Sequence, residues 1–500
     1  MDSIQLPIGN ESTNKGKFGG LFQGIVSRKL SHPLVTGFVS LMVLIVCILL
    51  AFAGPQPALL IVIGIIALPV VYSIITNPKF GIMIMLIGAY FIMWILRMGV
   101  GFPLGTLMDG LQALLIFGLL LKLKYRKDWS TFKSPISIMI LVWIGYNLLE
   151  VANPAAESRL SWLYTLRSVA IVMLMYFIFF YNIRSVKFIK QIFIVWIALS
   201  AFAAAYGYYQ EFFGYLPFEQ RWVDSDPMIE ELYFIAGHWR KFSIFSDPVA
   251  FAYNMVASAL LCFCLAMGPL RLWKKTILFS LAIFFIGSML FSGTRGAYVL
   301  LPAALGLYSI IKFNKRVVVF AAIAAVFIGF LIVVPTGNPT LMRFQSAFKP
   351  SEDASFNLRK MNQKRIQPYI LSHPMGGGLG ATGVWGQRFA PGSYLANFPP
   401  DSGYVRVAVE LGWLGLLLFC TLMFIILRTG INNYYAMRDP QLKSYAMAML
   451  LIVFAMNIGN YPQEALVQFP SSVYFYLEIA LLNVLPIIEK QRNGSLPTAA

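Results

Sequence analysis

The chain has 500 residues, of which 58% are hydrophobic and only 12% charged. A soluble domain carries roughly a quarter charged residues, so this composition excludes an ordinary water-soluble enzyme and points to lipid as the solvent. The formal net charge of +18 is read below as topological signal and attraction to anionic headgroups, not as a nucleic-acid footprint.

A polar segment, 1–33, comes first. Because about thirty polar residues precede the first apolar run, that run is expected to be a permanent span and not a cleavable signal. Apolar runs then follow at 34–53, 57–76, 80–97, 104–121, 135–153, 162–181, 190–212, 247–269, 274–291, 296–312, 317–335, 404–427, 444–460 and 466–487. Each approaches the roughly 20 residues that cross a bilayer as a helix. Alternating strand-like segments of the kind a membrane barrel needs are missing. The expected fold is therefore all-α, a polytopic membrane protein of about 14 helices, with an integral domain over 34–488 and a short tail, 489–500.

Basic residues set the orientation. With the N-terminus inside, the inner connections carry Lys79; Lys122, Lys124, Arg126, Lys127 and Lys133; Arg184, Lys187 and Lys190; Arg271, Lys274 and Lys275; Lys312, Lys315 and Arg316; and Arg428, Arg438 and Lys443. Both termini are expected in the cytoplasm. Two long segments, 213–246 and 336–403, then lie outside, the second before helix twelve. They hold Arg221, Arg240, Lys241, Arg343, Lys349, Arg359, Lys360, Lys364, Arg365 and Arg388, and Arg295 sits at a short outer turn.

Long loops escape the positive-inside rule, so these cations have two readings. They are solvated residues paired with Asp224, Asp226, Glu230, Glu231, Glu352 and Asp353, or they form an anion site. Arginine forks beside glycines and helix starts suit a phosphate bidentately. Ser372-His373-Pro374-Met375-Gly376-Gly377-Gly378-Leu379-Gly380 brings backbone close to a ligand or turns tightly, and no Gly-Lys-Ser/Thr follows it, so it is no Walker loop. Arg167 falls inside the sixth run, where an intramembrane cation is a functional candidate or snorkels to the interface. Cys47, Cys262, Cys264 and Cys420 read as small buried hydrophobes. His32, His238 and His373 show no metal-ligand spacing, and no cofactor is expected.

Four stretches together resemble the O-antigen ligase and polymerase family, membrane glycosyltransferases of bacterial surface polysaccharide assembly. They are Arg240-Lys241-Phe242-Ser243-Ile244-Phe245-Ser246-Asp247-Pro248; Ser292-Gly293-Thr294-Arg295-Gly296-Ala297; Ser355-Phe356-Asn357-Leu358-Arg359 leading to the glycine loop; and Asp401 through Gly415, with Arg406 and Glu410 inside it. The resemblance covers roughly 160–430 and implies a GT-C-like fold in a bacterial inner membrane with its active site facing the periplasm. It implies an undecaprenyl-pyrophosphate-linked glycan donor and a glycan acceptor, with membrane lipids, chain-length regulator and flippase proteins as partners. Arg167, Arg240 and Arg295 would hold the pyrophosphate with Arg359 as a further candidate, and Arg365, His373, Arg406 and Glu410 would contribute to substrate binding.

The family's ligases typically carry His-Asn about nine residues before Glu-X-Gly. Here Asp401-Ser402 stands at that place, which favours a polymerase over a ligase. Asp401 is either the base that takes the acceptor proton or a helix N-cap. Two other classes compete: a flippase for lipid-linked oligosaccharide, and a purely structural membrane component.

Overall fold

A computed structural model describes residues 69–99, 101, 104–127, 129–235, 237–313, 315–337, 339–348 and 354–494, together with 37, 40, 41, 44 and 47. The chain divides into two units, Met1–Ser73 and Ile74–Ala500. The described residues of the first are helical. The runs 34–53 and 57–76, His32, Glu352 and Asp353 fall largely or wholly outside the described residues.

The second unit is built from helices: α1 (Pro78–Arg97), α2 (Leu104–Arg126), α3 (Pro135–Leu149), α4 (Arg159–Val169), α5 (Met175–Asn182), α6 (Val186–Phe213), α7 (Pro217–Val223) and α8 (Pro227–Tyr233) come first. A two-residue hairpin, β1 (Phe234–Ile235) and β2 (His238–Trp239), pairs Phe234 with Trp239. Then follow α9 (Pro248–Ala266), α10 (Leu272–Leu290), α11 (Arg295–Ile311), α12 (Lys315–Val333), α13 (Pro339–Ser346), α14 (Ala354–Ser372), α15 (Gly383–Phe389), α16 (Gly403–Ala436), α17 (Pro440–Gly459) and α18 (Ser471–Arg492). Among the described residues ten helices are long and apolar enough to cross a membrane, and α11 is a shorter apolar helix. The protein is a multi-pass all-α membrane protein.

The centre is α9, α17 and α18, each apolar nearly all round and largely covered by neighbours, the pattern of a helix packed on every side. Polar side chains inside it find partners on other helices, because hydrocarbon offers none. Asn254 of α9 donates to Ser471 Oγ of α18 at 3.1 Å. Asn483 of α18 donates to Tyr176 Oη of α5 at 2.7 Å. Ser200 bridges Tyr90 and Ser258 at 2.8 and 2.7 Å. Cys262 and Cys264 are buried as expected, whereas Cys47 and Cys420 are exposed. A helix in a bilayer needs only an apolar outer face, so hydropathy did not separate these two positions from the interior.

Two runs read as continuous helices are broken. The sixth divides into α4 and α5 across a 3-10 turn, Ile171–Leu174, and Gln112 of α2 donates to the Ile171 carbonyl at 2.7 Å. Arg167 therefore occupies the last turn of a short helix, within the candidate span Arg159–Asn182.

The second break lies in α16 at Gly412, with φ +68° and ψ −175°. It frees backbone groups that must be paired inside the protein. Gly377 N and Gly378 N donate to the Val409 and Glu410 carbonyls, both at 2.9 Å. Tyr146 Oη donates to the Leu411 carbonyl at 2.8 Å, and Leu414 N donates to Pro374 O at 3.3 Å. A side chain at Gly412 would collide with the Pro374 carbonyl, and one at Gly376 with the backbone of Glu410 and Gly412. The glycine loop thus closes on its own protein's broken helix.

The two long connections are structured. The first carries α7, α8 and the hairpin around a small core of Val223, Tyr233 and Phe242. Buried Arg97, closing α1, lies 4.6 Å from the Trp222 ring and 4.2 Å from that of Phe242, and it donates to the Ser243 and Phe245 carbonyls. The second contains α13, α14 and α15. At the opposite end of the bundle, Arg184, Lys187, Lys190 and Arg492 line one cavity, and Lys312, Arg438 and Lys443 line another. The basic short loops therefore gather away from both long connections.

Candidate active site

The turn joining α10 to α11, Phe291 to Thr294, is the centre of the site. Gly293 takes φ +59°, which turns the chain sharply and aims successive carbonyls outward. Ser292 Oγ accepts from Thr294 N at 3.1 Å and fixes the loop. Arg240, just after β2, wraps this turn. Its Nε donates to Ser292 O at 2.9 Å, Nη2 to Thr294 Oγ1 at 3.1 Å and Nη1 to Leu232 O at 3.2 Å. Arg343 of α13 donates from Nε to Gly293 O at 3.1 Å. Arg295 opens α11, and its charge acts on both Arg240 and Tyr298. Three guanidinium groups therefore converge on one turn.

Burial lowers the pKa of the Arg240 guanidinium from its ordinary value, and Asp247 opposes that shift. Asp247 also caps α9, accepting from Val249 N and Ala250 N at 2.8 and 2.9 Å. The carboxylate is held by the helix end while it offsets part of the arginine charge.

Asp401 and Arg359 adjoin this cluster through Tyr253. Tyr253 Oη donates to Gly459 O at 3.1 Å, and a side chain at Gly296 would lie 3.0 Å from Tyr253 Oη. Arg359 of α14 acts electrostatically on Tyr253 and on Asp401, and the Asn362 amide, one turn further along α14, also favours the charged form of Asp401. Asp401 reaches solvent but is crowded by protein, and this partial burial pushes its carboxyl up against the lowering effect of Arg359 and Asn362. The cap of α16 is Ser402, whose side chain accepts from Val405 N at 3.4 Å. The N-cap role open to Asp401 in the sequence thus falls to its neighbour.

Arg406 and Glu410 form a separate network behind the site. Arg406 Nε lies 3.1 Å from Glu410 Oε1, and Nη1 lies 2.6 Å from Glu464 Oε2. Buried Glu410 also accepts from Gly380 N at 3.0 Å and from Thr382 N at 3.3 Å, so it ties the glycine loop to α16. Burial raises the Glu464 carboxyl, opposed by Arg406. A small cavity lies against this network, with largely apolar walls that include Trp143, Met173, Phe419 and Leu466.

The remaining candidates lie elsewhere. Arg167 pairs with Asp109 at 2.8 Å, both partly exposed. Arg365 lies 5.8 Å from the Tyr394 ring, and His373 stacks on Tyr369 at 4.0 Å. His238 meets Glu211 at 3.1 Å. Sequence reasoning missed Tyr253, Asn362 and Glu464. Tyr253 had a weak signal, lying one and a half turns after Asp247-Pro248, and Glu464 had one in the polar turn 460–464.

Residues 278–420 match the O-antigen ligase family. The match supports an O-antigen ligase/polymerase-like family. No curated protein matches the chain. The O-antigen ligase segment starts in α10 and runs through the first part of α16, so it contains Arg295, Arg343, Arg359, Asp401, Arg406 and Glu410. Arg240, Tyr253 and Arg167 precede it.

Proposed function

We propose that the protein polymerises glycan repeat units carried on a polyprenyl pyrophosphate, at the outer leaflet of a bacterial inner membrane. The observation that carries this reading is the convergence of Arg240, Arg295 and Arg343 on the turn at 292–294, next to Arg359 and Asp401. In this reading the acceptor hydroxyl attacks the anomeric carbon of the donor sugar while Asp401 takes its proton. The new glycosidic C–O bond forms as the bond to pyrophosphate breaks, and the electron pair leaves with the pyrophosphate. Fixed guanidinium groups stabilise the charge that develops there. The positive short loops at the far end of the bundle support a cytoplasmic location for that end and an exterior location for the site.

Asp401-Ser402, where ligases of the family carry His-Asn, favours polymerisation over transfer to lipid A core. The family match lends no support to a flippase. Purified protein incubated with a lipid-linked repeat unit should yield a ladder of products on a gel. Transfer to lipid A core alone would make it a ligase, and no covalent product from a suitable donor would overturn both readings.

A further inference from the structure

A second cleft opens along α14, beyond the cluster at the 292–294 turn. Tyr369 lies ten residues beyond Arg359 on that helix, about 15 Å of rise. The cleft is small and open to solvent, and it lies between Glu157 and Ser158 before α4, Tyr369 of α14, and Ser393 and Tyr394, with Gly377 and Gly378 among its lining residues. A side chain at Gly377 would lie 2.8 Å from Tyr369 Oη and would also strike Leu395. The absence of one brings the phenol hydroxyl down onto the glycine backbone.

The walls suit one kind of ligand. Tyr369 and Tyr394 have ring centroids 6.0 Å apart, and Tyr394 is 51% exposed. His373 stacks on Tyr369 at 4.0 Å and holds that ring in place. Beside the cleft, Tyr164 packs on Trp385 at 4.7 Å and on Phe389 at 5.2 Å, and Ser161 donates to the Trp385 carbonyl at 3.1 Å. Among the described residues no cation lines the cleft, and Glu157, which acts electrostatically on Tyr369, takes part in no ion pair. A phosphate would meet the Glu157 carboxylate in the lining, while Arg365 stands outside it, 5.8 Å from the Tyr394 ring. A lipid tail would meet serines and a carboxylate. An uncharged polyol has apolar C–H faces for the tyrosine rings and hydroxyls for Glu157, Ser158, Ser393 and the glycine backbone, the mixture of aromatic walls and few convergent polar groups that specific pockets use.

We infer that this cleft is a sugar-binding subsite, holding uncharged rings of the bound glycan several residues from the bond being made. It rests on the transferase reading above and assigns a substrate contact to residues outside the arginine site. The ring could belong to the acceptor or to the donor chain, and the two arms below separate them.

The test uses the full-length protein in detergent with two variants, Tyr394→Ala and Glu157→Gln. In one arm the acceptors are oligosaccharides released from the cell's own lipid-linked glycan and sorted by length. In the other the lipid-linked donor carries one or several repeats. Loss of one aromatic contact of about 1 kcal/mol corresponds to roughly a five- to tenfold rise in KM. That rise is expected for the longer substrate in one arm, with kcat and the KM of the shortest substrate unchanged. Equal KM values for long and short substrates in both arms and both variants would overturn the subsite and leave the transferase reading intact. If wild type makes no product, the transferase reading falls. Calorimetric binding of the released oligosaccharide that Tyr394→Ala abolishes would still uphold the cleft, and the absence of such binding would remove it.

Discussion

Replacing Arg240 by lysine keeps the charge and removes the fork. In the native site Nε, Nη1 and Nη2 reach three different acceptors, Ser292 O, Leu232 O and Thr294 Oγ1. A single ammonium cannot occupy those positions together, and its nitrogen sits on a stem that does not branch toward Ser292. At least two bonds are lost, each from a charged donor and worth roughly 1.5–3 kcal/mol. Ser292 is fully buried, so its carbonyl is left without water to replace the guanidinium. The turn that carries Arg295 and meets Arg343 loosens, and the leaving group loses a fixed donor. Removing one preorganised donor to a developing anion typically costs about 10²–10³ in kcat, and a fall of at least that size is expected in the ladder assay. Thr294→Val, which removes one acceptor of Arg240 and also the bond from Thr294 Oγ1 to the Pro248 carbonyl, should cost about 2 kcal/mol, or roughly thirtyfold. Both variants should run as monodisperse protein on size exclusion. An Arg240→Lys enzyme within about threefold of wild-type kcat would refute the assignment of Arg240 to the charge-bearing site.

Asp401→Asn should abolish transfer. Because burial raises the Asp401 carboxyl, the acidic limb of the wild-type rate profile should fall above the ordinary aspartate range of about 3.9. The sign for stability is opposite: the native state holds this proton more tightly than the unfolded chain does. The contribution favours the fold at low pH and fades as pH rises through the folded value, so Asp401→Asn should melt no lower than wild type at neutral pH. Glu410→Ala removes a buried partner of Arg406, Gly380 N and Thr382 N and should cost about 3–5 kcal/mol. The readout is loss of folded protein in detergent, and normal yield with a normal melt would contradict the bracing role. Transfer should continue undiminished in excess EDTA if guanidinium groups alone carry the pyrophosphate charge, and loss of activity restored by a divalent cation would contradict this.

The helical plan was legible because lipid forces each span to satisfy its own backbone, and that demand writes long apolar runs. The interruptions were not. Ala170 to Leu174 holds neither proline nor glycine, and the turn is stabilised by Gln112 from another helix. Gly412 follows Glu410 in a run that reads as one continuous span, and only its meeting with Pro374 and Gly376 shows why the residue is required. The arginines 240 and 295 were visible as charges on the wrong side of the orientation pattern. What Arg240 touches was not visible, because Ser292 and Thr294 meet it from about fifty residues further along the chain, and Arg343 joins the same turn from another fifty beyond. The division of labour between Asp401 and Ser402 was also hidden, since either side chain can cap a helix and only geometry selects one.

The interlock at Gly412 also bears on what a motif match reports. The glycines at 376, 377, 378 and 412 are held by shape: each lies where a side chain would strike backbone or a packed neighbour. A descendant that lost Arg240 and Asp401 would still need every one of them to fold. The glycine loop with its partner turn is therefore a signature of ancestry and architecture, and in the proposed function the arginines with the carboxylate beside them are the signature of activity. The two can be inherited separately.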